Sequence, residues 1–275
     1  MTTEQEVARH YRHGALERAI LDALQASGKD IGHLDPADLS GVDEFHLGWL
    51  AATIDLANDL ALSPGMTVLD VGCGIGGPAR YFAEHHGCTV VGIDLTDEFV
   101  SVAASLTDRC GLADLVSFRQ ASALSLPFED ESFDRATLIH VGMNISDKAA
   151  TFAQVHRVLK TKGVFAVYDI MNISGDDLPY PMPWAETLDT SFVEAPQTYR
   201  DLLKQAGFVL RSEKNRREMS LALAREMREN VEKHGPPLLG PQTVMGEAAP
   251  LRLGNVMLAL AAGTIAPIQM LVQKM

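Results

Sequence analysis

Cysteine is scarce in this sequence. Its 275 residues include three cysteines, Cys73, Cys88 and Cys110, which are too few and too unevenly spaced for a disulfide framework or a zinc site. We therefore expect reduced, buried thiols in a cytoplasmic protein, and we expect no metal site.

Basic residues are also few. Lys and Arg together number 23 against 36 Asp and Glu, so the net charge is −13. A surface that binds nucleic acid needs clustered Lys and Arg, and an anionic membrane attracts basic segments. The charge balance therefore argues against both partners and leaves the oligomeric state open.

Long uninterrupted apolar runs are lacking as well. The first residues, MTTEQEVARHYRHG, have no apolar segment of the kind found in signal peptides, so none is expected. The one candidate membrane segment is VMLALAAGTIAPIQMLVQKM, near the end of the chain. It contains Gly263, Pro267 and Gln269, and its apolar period changes midway, which predicts the end of a helix followed by a strand.

The chain shows two different patterns of apolar residues, one before and one after about residue 65. Residues 1–64 carry apolar residues at three- and four-residue intervals, which predicts a helical N-terminal cap that ends at the turn signal Pro64-Gly65. From Met66 onward, β-branched runs such as TVLDV and TVVGIDL alternate with helical segments. Strands separated by helices predict a parallel sheet with right-handed crossovers.

The predicted fold of residues 65–275 is a doubly wound, Rossmann-like α/β domain with a seven-stranded sheet. The sheet is expected to be mostly parallel. Its last strand, IAPIQMLVQK, is expected to be antiparallel and to pair with FVLRSEK.

A glycine-rich loop follows the first predicted strand, in VLDVGCGIGGPARYFA. Gly72, Gly74 and Gly77 fit the G-x-G-x-x-G pattern of dinucleotide sites, and Asp94 follows about 20 residues on. Asp70 argues against a dinucleotide, because at roughly 5 Å and an effective dielectric near 20 it would repel a pyrophosphate by about 3 kcal/mol per unit charge. The same carboxylate would attract the ammonium of S-adenosylmethionine, and Asp94 can accept both ribose hydroxyls.

Four motifs follow one another over roughly residues 65–215: LDVGCGIGG, VVGIDL, LPFEDESFD and HRVLKTKGVFAVYDI. In this order they resemble the class I S-adenosylmethionine-dependent methyltransferases. DEFHLG, GGPARYFA, HVGMNISDK and YPMPWAETLDTSF extend the resemblance to small-molecule enzymes, namely the ubiquinone/menaquinone, sterol, tocopherol and sarcosine/dimethylglycine methyltransferases. The resemblance implies S-adenosylmethionine as cofactor, S-adenosylhomocysteine as product and a small-molecule acceptor that is methylated on carbon, nitrogen or oxygen.

The resemblance also implies which residues hold the cofactor. The carboxylate of Asp70 and the loop backbone at Gly72 and Gly74 contact the methionine part, Asp94 binds the ribose and Leu95 packs against adenine. The family often places an acid near the adenine amino group, in a pattern such as GDAxxLPF. The stretch found here, ASALSLPF, provides three further candidates for this region: Ala121, Ser122 and Ala123.

Methyl transfer needs an aligned and desolvated acceptor and, in some enzymes, a base. His140 follows the fourth predicted strand and is either that base or a residue that positions the cofactor. His46, in the cap, either reaches the cofactor or acceptor as a second catalytic candidate or makes a structural contact. Tyr11 is a candidate for a lid over the cofactor. The acceptor is expected near three further residues: Trp184, Tyr180 and Asn144.

The segments 171–194 and 218–264 are expected to be insertions on the cap and acceptor side. Two alternatives to methyl transfer stay open. One is a regulatory protein that binds S-adenosylmethionine without catalysis. The other is a nicotinamide-dependent oxidoreductase, which Asp70 disfavours.

Overall fold

A central β-sheet organises the computed structural model, which describes residues 2–12 and 14–275. Its strands are β1 (Thr67–Val71), β2 (Thr89–Asp94), β3 (Val116–Gln120), β4 (Phe133–Ile139), β5 (Leu159–Asn172), β6 (Phe208–Asn215) and β7 (Ile265–Lys274). They lie in the order β3-β2-β1-β4-β5-β7-β6. β7 is antiparallel to β5 and β6, and the other neighbours pair in parallel.

Helices precede the sheet and connect its strands. They are α1 (Thr3–Tyr11), α2 (Leu16–Ala26), α3 (Ser40–Asp43), α4 (Trp49–Asp59), α5 (Gly77–His86), α6 (Asp97–Arg109), α7 (Lys148–Val158), α8 (Pro196–Gln205), α9 (Arg217–His234), α10 (Pro241–Met245) and α11 (Ala249–Ala262). Short 3₁₀ helices cover Pro36–Leu39, Gly142–Asn144, Leu188–Thr190 and Gly246–Ala248.

Apolar side chains cover both faces of the sheet. Leu69 of β1 belongs to the same buried cluster as Phe152 of α7, on one face. Its neighbour Val68 packs on the other face, in a cluster with Phe82 of α5 and Leu56 of α4. Successive strand residues point to opposite faces, so a sheet buried on both sides needs continuously apolar strands. This requirement explains why the central strands lack an apolar–polar alternation.

The sheet predicted from the sequence is confirmed. β7 pairs with β6 in antiparallel register, from Phe208 opposite Lys274 to Asn215 opposite Ile268. The apolar segment near the end of the chain is the end of α11 followed by β7, as its change of period predicts. Of the helices that the structure describes, none is both long enough and apolar enough to cross a bilayer.

The N-terminal helices contact α5, α6 and α10. Leu16 and Ile20 of α2 share a buried cluster with Val102 and Leu106 of α6, and Val244 of α10 joins the same cluster. These contacts bring the N-terminal segment and the region between β6 and β7 to one side of the sheet. The domain division at residues 64 and 65, and the limits of the insertions, stay predictions.

Candidate active site

A cleft opens at the carboxyl ends of β1, β2 and β4, where ligands bind in sheets of this type. Its empty space is about 1230 Å³, including the open mouth. Of the residues predicted from the sequence, these line the cleft: Tyr11, His46, Asp70, Gly72, Gly74, Asp94, Leu95, Ala121, Ala123, His140 and Asn144.

The loop between β1 and α5 is held against the end of β2. The backbone N–H groups of Gly72 and Cys73 both donate to the carbonyl oxygen of Ile93, at 2.8 and 2.9 Å. Gly72 has a φ of +75°, and a Cβ at this position would lie 2.3 Å from the Val141 side chain. Both the backbone conformation and the packing therefore require glycine, and a ligand can approach the loop backbone itself.

Asp70 is buried at the end of β1, and only one of its two carboxylate oxygens has a hydrogen-bond partner among the described residues. Thr137 Oγ1 donates to Asp70 Oδ1 at 2.7 Å. Asp70 Oδ2 is buried without a hydrogen-bond partner in the described structure. Burial raises the pKa of Asp70 to about 6, and the Thr137 hydrogen bond opposes this effect. At neutral pH the side chain is therefore mainly a carboxylate with one oxygen free to accept a donor from a ligand.

Asp94 ends β2, and the backbone fixes its orientation. Gly74 N–H donates to Asp94 Oδ2 at 3.1 Å, and Thr96 N–H donates to Oδ1 at 2.9 Å. Burial raises the pKa of Asp94, and these backbone hydrogen bonds counteract part of the effect. A carboxylate has about four lone-pair sites, so both oxygens can accept further hydrogen bonds from the cleft.

His140 directly follows β4 and has a φ of +52°, in the left-handed region that non-glycine residues rarely adopt. Its backbone N–H donates to the Tyr168 carbonyl at 2.7 Å, whereas its Nε2 is buried without a partner. Burial, with a smaller effect of His46, holds the pKa of His140 well below its usual range. His140 is therefore a neutral imidazole at physiological pH, held in a conformation that is typical of functional sites.

His46 lies next to His140, with 5.7 Å between the ring centroids. Its Nε2 is 2.7 Å from Glu44 Oε2, and Thr53 Oγ1 of α4 donates to the same oxygen at 2.6 Å. The side chains of His46 and Glu44 are each 4% exposed. The cleft therefore has a buried histidine–carboxylate pair in its wall.

The family model described as a methyltransferase domain matches residues 69–167. This segment contains Asp70, Asp94 and His140 with their loops, and the strand order with an antiparallel β7 is that of the class I fold. The matched segment is a methyltransferase domain, and the chain resembles the class I S-adenosylmethionine-dependent methyltransferases. The resemblance found in the sequence is thereby confirmed.

Two curated relatives show the degree of similarity. A sterol 24-C-methyltransferase of Gibberella zeae is 37% identical over 114 residues, which are 42% of this chain and 30% of that protein. Methyltransferase GfsG of Streptomyces halstedii is 37% identical over 134 residues, which are 49% of this chain and 48% of that protein. The matched segments thus span less than half the length of these relatives.

Solved structures share the fold over most of the chain. Geranyl diphosphate C-methyltransferase of Streptomyces coelicolor has a TM-score of 0.72 at 16% identity, covering 100% of this chain and 99% of that one. A putative sarcosine dimethylglycine methyltransferase of Galdieria sulphuraria has a TM-score of 0.63 at 22% identity, covering 82% and 85%. The [4+2]-cyclase SpnF has a TM-score of 0.69 at 22% identity, covering 100% and 97%. At these identities the likeness concerns the fold alone.

Helix α1 contributes side chains to the wall of the cleft. Asn144 Nδ2 donates to the Tyr11 hydroxyl at 3.2 Å, and burial raises the pKa of Tyr11. Ser122 does not line the cleft; its hydroxyl donates to Glu4 of α1 and accepts the Leu124 N–H. The acidic group next to Ser122 in the cleft is thus Glu4 of α1, which the sequence patterns do not predict.

Trp184 and Tyr180 do not line the cleft either. Trp184 is 3% exposed, and its Nε1 donates to Ser191 Oγ at 2.9 Å. Its cluster includes Met182 and Leu260, and Tyr180 packs against it. An indole that satisfies its own N–H within the long loop acts as the core of that loop.

The charges in the cleft have one sign. Four carboxylates line it, those of Glu4, Asp43, Asp70 and Asp94, and no lysine or arginine does in the part of the chain that the structure describes. Asp43 is paired with buried Arg80 at 2.5 Å, and Arg80 does not itself line the cleft. The uncompensated acids favour cationic and neutral ligands over anions.

Proposed function

We propose that this methyltransferase transfers the methyl group of S-adenosylmethionine to an uncharged, largely apolar small molecule. The observation that carries the proposal is the buried oxygen Asp70 Oδ2, which lacks a hydrogen-bond partner beside the glycine loop. An ammonium supplies what this oxygen lacks, whereas a pyrophosphate would be repelled. The site residues therefore fit S-adenosylmethionine and not a nicotinamide dinucleotide.

The proposed roles of the other residues follow from their hydrogen-bonding capacity. Asp94 keeps acceptor sites for two ribose hydroxyls, and Leu95 beside it offers an apolar surface to adenine. Neutral His140 orients the methionine part by a hydrogen bond. When bound, S-adenosylmethionine supplies a methyl group on a cationic sulfur, so the chain's task is to align the acceptor and exclude water.

The chemistry of the cleft wall supports an uncharged acceptor. The apolar side chains that line the cleft include Val7 of α1, Phe45, Ile139 of β4 and Val244. An anionic group about 5 Å from one of the cleft carboxylates would be repelled by about 3 kcal/mol at an effective dielectric near 20. The solved geranyl diphosphate C-methyltransferase was crystallised with Mg²⁺ and geranyl diphosphate; we propose a neutral acceptor for this chain.

Calorimetry and mass spectrometry test the proposal. S-adenosylhomocysteine is expected to bind, and NADH is not. With trideuteromethyl S-adenosylmethionine, the label is expected to pass to at least one uncharged probe among 4-hexylphenol, 4-hexylaniline and 1-undecene, and not to 4-hexylphenyl phosphate. Binding of S-adenosylhomocysteine without transfer to any probe would instead support a non-catalytic binding protein, and transfer to the phosphate would refute the uncharged acceptor. A cytoplasmic location stays a prediction.

A further inference from the structure

We propose that Glu4 of α1 binds the 6-amino group of the cofactor's adenine, so that the N-terminal helix takes part in recognising the base. The inference deepens the proposed function and rests on it, because it takes Asp94 as the ribose site. It starts from one contact between distant segments: the Ser122 hydroxyl donates a hydrogen bond to Glu4 Oε1, across 118 residues of sequence. Glu4 lines the cleft and pairs with no lysine or arginine in the part of the chain that the structure describes.

One face of α1 forms part of the cleft wall. Thr3, Glu4, Val7 and Tyr11 all line the cleft. Residues three or four positions apart lie on the same face of a helix, so these side chains form one row. At one end of the row, Asn144 Nδ2 donates to the Tyr11 hydroxyl at 3.2 Å. Roughly 10 Å of helix separates Tyr11 from Glu4, so the Glu4 carboxylate lies at the opposite end of this wall.

The segment that Glu4 contacts is held against the end of β2, next to the proposed ribose site. The Ala121 N–H donates to the Asp94 carbonyl oxygen at 3.0 Å. Ala121 and Leu95 both line the cleft, and Ser122, the residue after Ala121, makes the contact with Glu4. A base that packs against Leu95 while its ribose is bound by Asp94 therefore lies next to the segment that carries the Glu4 contact.

The Glu4 carboxylate keeps one oxygen for a ligand. The Leu124 N–H donates to Ser122 Oγ at 3.0 Å, and the hydroxyl proton of Ser122 is directed at Glu4 Oε1. Glu4 Oε2 has no hydrogen-bond partner among residues 2–12 and 14–275. A carboxylate oxygen without a proton can only accept hydrogen bonds, so this end of the cleft calls for a donor from the ligand.

Adenine has one polar group that meets this requirement. Its 6-amino group donates hydrogen bonds, whereas its unsubstituted ring nitrogens accept them and would be repelled by a carboxylate. The side chains that line the cleft from the segment after β3 are those of Ala121, Ala123 and Leu124, and they are apolar. None of these three side chains competes with Glu4 for the amino group. The contact is a charge-assisted hydrogen bond, and a purine that lacks the amino group cannot form it.

The first experiment compares two ligands, S-adenosylhomocysteine and its 6-deamino analogue, in which purine replaces adenine. Calorimetry measures both Kd values. The wild type is expected to bind the analogue about five- to tenfold more weakly. In Glu4→Ala this ratio is expected to fall below about twofold, because the amino group has lost its partner. Each ratio compares two ligands on one variant, so a general loss of stability and the different stacking of the two bases cancel.

Glu6→Ala is the matched control. Glu6 belongs to the same first turn of α1 as Glu4 but does not line the cleft. Its replacement removes the same charge from the same end of the helix, so it has a comparable effect on the helix dipole and on the net charge. The ratio of the two Kd values in Glu6→Ala is expected to equal that of the wild type.

The second experiment follows α1 itself. Coupling between two contacts is reciprocal, so an amino group that binds better when α1 is in place also holds α1 in place. With each ligand at saturation, amide hydrogen exchange in α1 is expected to be about five- to tenfold slower with S-adenosylhomocysteine than with the 6-deamino analogue. In Glu4→Ala the two ligands are expected to give equal exchange rates.

Three results would overturn the role of Glu4: equal affinity of the wild type for the two ligands, the wild-type ratio of Kd values in Glu4→Ala, or an equal loss of that ratio in Glu6→Ala. In each case S-adenosylhomocysteine still binds the wild type, so the proposed function stands and only the adenine contact fails. If S-adenosylhomocysteine does not bind the wild type, the proposed function fails first.

Discussion

Replacing Asp70 by asparagine tests whether its carboxylate serves ligand binding or the stability of the fold. In the ligand-free protein, burial raises the pKa of this carboxyl from 3.8 to about 6. The folded state therefore binds the proton more tightly than the unfolded chain does, so its stability falls as the pH rises from about 4 through about 6. At pH 7.5 this difference in pKa lowers the free energy of unfolding by about 3 kcal/mol. A neutral asparagine at this position avoids that loss.

Part of this gain is offset by the new amide. Asparagine keeps an oxygen for the Thr137 hydroxyl, but its Nδ2 then occupies the place of an oxygen that has no partner. An unsatisfied buried donor costs about 1–3 kcal/mol. The ligand-free Asp70→Asn protein is thus expected to be as stable as the wild type or more stable by up to about 2 kcal/mol, seen as an equal or higher Tm at pH 7.5.

Binding is expected to change in the opposite direction. The ammonium of S-adenosylhomocysteine loses a charge-assisted hydrogen bond to Asp70, which is worth about 2 kcal/mol or about 30-fold in Kd. Calorimetry measures the Kd, and thermal unfolding without ligand measures the stability. Thr137→Val, which keeps the Asp70 charge, is the control. A Kd equal to that of the wild type together with a lower Tm would refute the electrostatic role of Asp70.

Three further predictions concern the same cleft. Asp94→Ala is expected to weaken S-adenosylhomocysteine binding by about 2–4 kcal/mol, and an unchanged calorimetric Kd would contradict the ribose contact. His140→Ala is expected to raise that Kd about five- to tenfold, whereas His140→Asn, which keeps a donor and tolerates a positive φ, restores binding and rate; a large rate loss in both variants with unchanged binding would show that His140 is the base. Wild-type affinity is expected to fall as the pH drops through about 6, where Asp70 protonates, and calorimetry should find little of this fall in Asp70→Asn.

The residues around the glycine loop were predictable because the local sequence pattern determines the elements that hold them. A β-branched strand, a glycine turn and a helix bring Asp70 and the loop backbone to the sheet edge, and the next strand brings Asp94 beside them. The antiparallel β7 also followed from a change of period within one segment. Each of these features depends on residues that are close in sequence and on the strand order that α/β folds of this type share.

Other parts of the site depend on contacts between distant segments. Glu44 is two residues from His46, but its burial depends on Thr53 of α4 and on the packing of the cap. Ser122 meets Glu4, which is 118 residues away, so its side chain turns to α1. Trp184 is an aromatic residue in a long loop. The sequence of that loop does not show whether the Trp184 side chain lines a pocket or forms the core of the loop. Tertiary packing determines where these side chains lie, and the periodicity of the sequence carries no information about that packing.

A crystal structure of the protein with S-adenosylhomocysteine tests the central claim most directly. The ammonium is expected within hydrogen-bond distance of Asp70 Oδ2 and the ribose hydroxyls on Asp94, with the sulfur facing the part of the cleft that His46 and the apolar side chains line. An adenosine group bound elsewhere, or an ammonium directed away from Asp70, would contradict methyl transfer in this cleft.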